Sequence, residues 1–117
     1  GRLSERTVGR EAGAAAAFNL GLILEEGQDT SGALQAYRDS VELGRLSETG
    51  AGREAGAMAA FGLALMLGEA EDVEGALRAY GDSMELGRLS ETAEGFEARA
   101  KASYNLNLLQ KQAEGTG

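Results

Sequence analysis

The sequence predicts an all-α protein, a repeat array of antiparallel helix pairs with five helices and no strand. Three observations predict it. The word GRLSE occurs at Gly1, Gly44 and Gly87, which sets a period of 43 residues. Units 1–43 and 44–86, aligned without a gap, agree at about 28 of 43 positions, and 87–117 is a shorter, diverged third copy. Within each unit, apolar residues recur at the i, i+3, i+4, i+7 spacing of a helix with a buried face. The 117 residues are read as one domain made of these three units.

In unit one the first helix is expected from Val8 or Arg10 to Glu26, with Ala17, Leu20, Gly21 and Leu24 on its periodic stripe. Its other faces are also largely apolar, which predicts neighbours on several sides. The turn is Gly27, Gln28 and Asp29, and Asp29 is the expected N-cap of the second helix. That helix presents Ala33, Tyr37 and Ser40 on one stripe and continues across Gly44 to about Leu46, at a cost of about 1 kcal/mol for the glycine. Unit two repeats the scheme with Ala60, Leu63, Ala64 and Leu67, the cap Asp72, and Ala76, Tyr80 and Ser83. Unit three holds a first helix only, from about Glu94 to Gln112; Glu94 and Glu97 near its start and Lys111 near its end complement the helix dipole. The GRLSE at Gly1 reads as the tail of an earlier second helix, which leaves room for repeats upstream.

Composition narrows the function classes. The net charge is −8, and the acidic excess sits in the first two units. A nucleic-acid partner is not expected, because the phosphate backbone needs a basic face. Neither cysteine nor histidine is present, which removes disulfides, thiolate nucleophiles, the usual zinc ligands and the commonest proton-transfer side chain. With 43% hydrophobic but only 5% aromatic residues, alanine and glycine must carry much of the packing. The longest apolar run, Ala12 to Leu24, is broken by glycine and Asn19 and falls short of the roughly 20 residues that span a bilayer. No signal peptide is visible, and the lack of cysteine fits a reducing, cytoplasmic setting.

Apparent chemical motifs dissolve on inspection. Gly50, Gly52 and Gly56 imitate a dinucleotide fingerprint, but the spacing is one residue too long and no strand precedes it. Glu25, Glu26, Glu69, Asp72 and Glu74 lack calcium-loop spacing and read as a solvated face. Ser4, Ser47 and Ser90 recur with the repeat and no base accompanies them, so a capping or turn role is expected. No cofactor, metal site or enzymatic activity is expected.

The residues Ala17, Leu20, Gly21, Leu24, Ala33, Leu34, Tyr37, Ser40 and Leu43 are matched one period on by Ala60, Leu63, Ala64, Leu67, Ala76, Leu77, Tyr80, Ser83 and Leu86. This pattern resembles the tetratricopeptide repeat (TPR) over nearly the whole chain. The period resembles the long-helix variety found in spindle-orientation scaffolds, kinesin light chains and some bacterial signalling ATPases, and the tract EARAKASYNLN from Glu97 is especially similar to it. Two departures are visible. The proline that often ends a unit is missing, and unit three carries Ser103, Asn107 and Gln110 on the face that would meet a following helix. A terminal helix needs such a polar face, so the last helix is expected to act as a C-terminal cap.

The resemblance implies a right-handed α-solenoid whose first helices line a concave, peptide-binding groove. It places Ala15, Phe18, Asn19, Leu22 and Glu26 of unit one on that surface, with Met58, Phe61, Gly62, Leu65 and Glu69 of unit two. Unit three contributes Lys101, Tyr104, Asn105, Leu108 and Gln112. The rows Phe18, Phe61, Tyr104 and Leu22, Leu65, Leu108 form a mostly apolar floor, and Asn19 and Asn105 could hold a ligand backbone. The surface lacks the basic carboxylate clamp of chaperone-binding relatives, so the implied ligand is a protein segment with apolar anchors and basic flanks. At helical spacing such stripes are more often core than binding site, and packing between neighbouring first helices is an open alternative for Phe18 and Phe61. A self-assembling structural module and an engineered consensus array without a ligand are the alternative functions. If the last helix is a cap, deleting residues 94–117 sharply lowers the melting temperature measured by circular dichroism; an unchanged curve would refute the cap.

Overall fold

The computed structural model describes the backbone of residues 2–116 and the side chains of residues 8–115. Among these residues lie five α-helices and no strand: α1 (Arg2–Glu26), α2 (Thr30–Leu46), α3 (Gly50–Glu69), α4 (Val73–Ser90) and α5 (Ala93–Thr116). Each helix packs antiparallel on the next. No helix among them is long and apolar enough to cross a membrane.

The turns inside the units form as their aspartates dictate. Asp29 Oδ1 accepts the Gly32 N–H at 3.0 Å and Asp72 Oδ1 accepts the Gly75 N–H at 2.9 Å, so each caps a second helix. The residues just before them, Gln28 and Glu71, take up left-handed backbone with φ of 63° and 64°. The breaks between units use a second device. Thr49 and Thr92 cap α3 and α5 by accepting the Gly52 and Gly95 N–H groups, and their own N–H groups are accepted by Ser47 and Ser90 Oγ. The recurring serines are therefore turn residues.

The first GRLSE behaves differently. Arg2 to Glu5 belong to α1 without a break, so the helix begins several residues before the expected Val8 or Arg10, and among the described residues no turn sets this GRLSE apart from α1. Position 6 supplies the reason. Arginine, a good helix former, stands where the other copies have the capping threonines Thr49 and Thr92. At the other end, α5 runs past the expected Gln112 to Thr116.

The helices sort into two layers. The first helices α1, α3 and α5 lie side by side, α2 covers α1 and α3, and α4 covers α3 and α5, whereas α2 and α4 barely touch. Small residues allow the close stacking. A Cβ on Gly44 of α2 would lie 2.8 Å from the Gly56 Cα of α3, so the two backbones are in direct contact there. Buried hydroxyls tie the layers together: Ser40 Oγ donates to the Ala14 carbonyl at 2.7 Å, and its counterpart Ser83 donates to the Ala57 carbonyl at 2.8 Å. Arginines on the first helices hold the ends of the second helices. Arg10 donates to the Leu46 carbonyl at 3.0 Å and Arg53 to the Leu89 carbonyl at 3.3 Å, while the equivalent position of α5 is the exposed Phe96. The core is correspondingly alanine-rich, with Ala57, Ala60, Ala64, Ala76 and Ala102 buried around Tyr37, Leu63 and Leu86.

This packing sets opposite signs for one substitution at two helical glycines. Gly44→Ala, which drives a methyl group into the backbone of α3, should lower the unfolding free energy by about 2–3 kcal/mol in urea titrations despite its better helix propensity. Gly81→Ala, mid-helix in α4 with open space around the added methyl, should raise it by roughly 0.5–1 kcal/mol.

Candidate functional site

Tyr37 of α2 is the residue around which the site forms. Its ring is fully buried between α1 and α3: a Cβ at Gly21 would stand 2.5 Å from the ring, and one at Gly62 would stand 3.1 Å from it. The absence of both side chains makes the slot. Phe18 lies tilted beside it with centroids 6.1 Å apart, and the hydroxyl donates to Glu25 Oε1 at 2.6 Å. Unit two repeats the aromatic pair as Phe61 and Tyr80 at 6.0 Å, and there the Asn105 amide donates to the Tyr80 hydroxyl at 3.4 Å.

Above Tyr37 the first helices leave a hollow of about 390 Å³. Phe18, Leu22 and Glu25 of α1 line one side, Met58, Phe61, Gly62 and Leu65 of α3 form the floor with Tyr37, and Glu94, Glu97, Ala98 and Lys101 of α5 close the other side. The floor is apolar, whereas the rim carries three carboxylates and one ammonium. Lys101 Nζ is paired with Glu97 at 3.0 Å, one helical turn away. Phe18 and Phe61 have both roles left open by their spacing, since each is half-buried against the core and faces the hollow.

Of the residues placed on the groove by sequence, Phe18, Leu22, Met58, Phe61, Gly62, Leu65 and Lys101 come together at this hollow. Leu108 lies beyond it but shares the exposure of its row: Leu22, Leu65 and Leu108 are 43%, 41% and 42% exposed. Glu26 and Glu69 are exposed at the helix ends, and Asn19 is exposed on α1 outside the lining. Asn105 turns to Tyr80. Tyr104 is 65% exposed, unlike Phe18 and Phe61, because no second helix follows α5 among the described residues to offer it a partner tyrosine. Glu25, Tyr37, Glu94, Glu97 and Ala98 complete the hollow and were not foreseen there. A signal was available for Glu97, whose i, i+4 spacing to Lys101 fixes it to the same face.

No protein-family profile, curated protein or solved structure matches the chain. The site is therefore characterised by its own geometry. It is a preformed apolar hollow with an acidic rim, of a volume typical of ligand sites.

Burial raises the Tyr37 phenol well above the ordinary tyrosine range, and the hydrogen bond to Glu25 and the negative charge of that carboxylate add to the effect. Because the folded state holds the proton more tightly, the associated stability is complete below the unfolded tyrosine pKa of about 10 and is lost as pH rises beyond it. Tyr37→Phe should therefore lower stability at neutral pH by about 1 kcal/mol and flatten part of the fall in melting temperature above about pH 10. Thermal melts of both proteins across that range check it.

Proposed function

We propose that the chain is a non-enzymatic interaction scaffold of the tetratricopeptide type, a right-handed solenoid that holds a peptide segment of a partner protein across α1, α3 and α5. The observation that carries this reading is the hollow itself, where Phe18, Phe61, Met58 and Leu65 form an apolar floor under Glu25, Glu94 and Glu97. An apolar anchor displaces water from the floor, at about 25 cal/mol per Å² of apolar surface removed from water. The carboxylates favour a cation beside that anchor and set the orientation. The preferred ligand is thus an aliphatic or aromatic side chain next to lysine or arginine. The chain's overall charge of −8 favours the same partner and disfavours nucleic acid. Self-association is the second reading, supported by the exposed Leu20 and Ile23 of α1.

Selection of short random peptides displayed against the full chain tests the proposal. Enrichment of apolar anchors flanked by lysine or arginine is expected. Leu65→Arg, at a position exposed enough to leave the fold intact, should weaken a selected peptide by about tenfold or more. Glu94→Gln combined with Glu97→Gln should weaken it a few-fold at low ionic strength and make little difference in high salt. No enrichment, or affinity indifferent to Leu65→Arg, would overturn the reading.

A further inference from the structure

Where the repeat departs from its own period, two of the departures bring a carboxylate to the hollow. Glu25 stands where the next unit has Gly68, and Glu94 stands where the earlier units have Val8 and Ala51. The two line opposite walls, one from α1 and one from α5. Lys101 takes the place of Ala15 and Met58, but its ammonium is paired with Glu97 at 3.0 Å. Glu25 and Glu94 have no ion pair among the described residues. The seam at Tyr80 is built on the same frame without this charge, because Gly68 replaces Glu25 and the Asn105 amide meets the tyrosine hydroxyl. The acidic excess is thus particular to the first seam.

Below these carboxylates the floor gives a cation almost nothing to hydrogen-bond. The side chains of Phe18, Phe61 and Leu65 accept no hydrogen bond, and the Met58 thioether accepts only weakly. The Tyr37 hydroxyl is buried and bonded to Glu25. A lysine ammonium carries three N–H donors that this floor would leave unpaired, so it stays at the rim with the carboxylates. A trimethylated ammonium keeps the charge, has no N–H to satisfy and presents methyl groups, and aromatic faces attract such a cation. Phe18 and Phe61 bring two rings to the hollow, each steadied by a tyrosine of the second layer at centroid distances of 6.1 and 6.0 Å.

Given the peptide-binding reading of this site, on which the inference rests, we infer that the hollow selects a methylated lysine of the partner peptide, its quaternary head against Phe18 and Phe61 and between Glu25 and Glu94. One side chain then supplies both the apolar anchor and the cation. The surroundings favour a peptide over a free quaternary amine. The apolar row continues past the hollow to Leu108, which is 42% exposed, so residues flanking the anchor have surface to cover.

The probes are three labelled synthetic peptides of alanine and serine, with leucines flanking one central position. That position holds trimethyllysine, lysine, or the neutral carbon isostere in which a tert-butyl group replaces the trimethylammonium. Each is titrated into the full chain and followed by fluorescence anisotropy. The trimethyllysine peptide is expected to bind about tenfold more tightly than either of the others. Glu25→Gln with Glu94→Gln should reduce its advantage over the neutral peptide several-fold; glutamine at position 25 still offers an acceptor to the Tyr37 hydroxyl. Phe18→Leu should reduce the same advantage, and the ratio of charged to neutral peptide cancels any general loosening of the hollow. Equal binding of the charged and neutral peptides, or an advantage untouched by both variants, overturns the inference and leaves an uncharged apolar anchor as the ligand. Free choline binding as tightly as the trimethyllysine peptide overturns it too, because the ligand is then a small cation. If none of the three peptides binds, the inference fails, and the selection from random peptides decides the broader reading separately.

Discussion

The seating of one tyrosine governs the first two units. Tyr37 comes from α2, yet its ring fills the seam between α1 and α3, and it fits because Gly21 and Gly62 present no side chain to it. Once seated it orients Phe18, fixes Glu25 through its hydroxyl and forms part of the floor of the hollow. Packing and site are therefore one object, because the same ring closes the core below and faces the cavity above. Tyr80 reaches a similar end by another route, with Asn105 of α5 donating a hydrogen bond to its hydroxyl where Gly62 of α3 leaves room for Tyr37. A buried hydroxyl left without a partner costs about 1–3 kcal/mol, so each tyrosine needs such an arrangement.

Small residues make this seating possible and weaken the helices that bear it. The chain has 18 glycines, and each one inside a helix costs roughly 0.5–1 kcal/mol relative to alanine. Compensation comes from close approach. Where Gly44 meets Gly56, backbone packs on backbone, and the buried Ser40 and Ser83 hydroxyls donate to the carbonyls of Ala14 and Ala57 on the neighbouring first helices. Stability in such an array lies between the helices more than within them. The layer of first helices is the tight one, and the second helices fan apart behind it.

Much of this order was legible in the residues. The period, the five helices and the caps Asp29 and Asp72 follow from spacing and side-chain chemistry, because each is a local matter. The start of α1 was not legible by analogy, since the repeated word GRLSE carries no break of its own. The threonine after it makes the break, and unit one has Arg6 there. The hollow was legible to the extent that the first helices line it. Tyr37 escaped notice as a lining residue because it belongs to a second helix, and its stripe reads as core. Glu94 escaped because a carboxylate in a first helical turn already has a sufficient reason to be there. Tyr104 departs from its row for a reason outside its own helix: among the described residues no second helix follows α5 to bring it a tyrosine.

The arginine clamps bear on how such an array could change length. Arg10 and Arg53 each hold the last turn of the second helix in their own unit, and in the third unit that place belongs to Phe96. Gene duplication that inserted another copy of residues 44–86 between the existing units would bring its own clamp and preserve every junction. The 43-residue period runs through α2 at Gly44, so a repeat counted from GRLSE does not coincide with a helix pair.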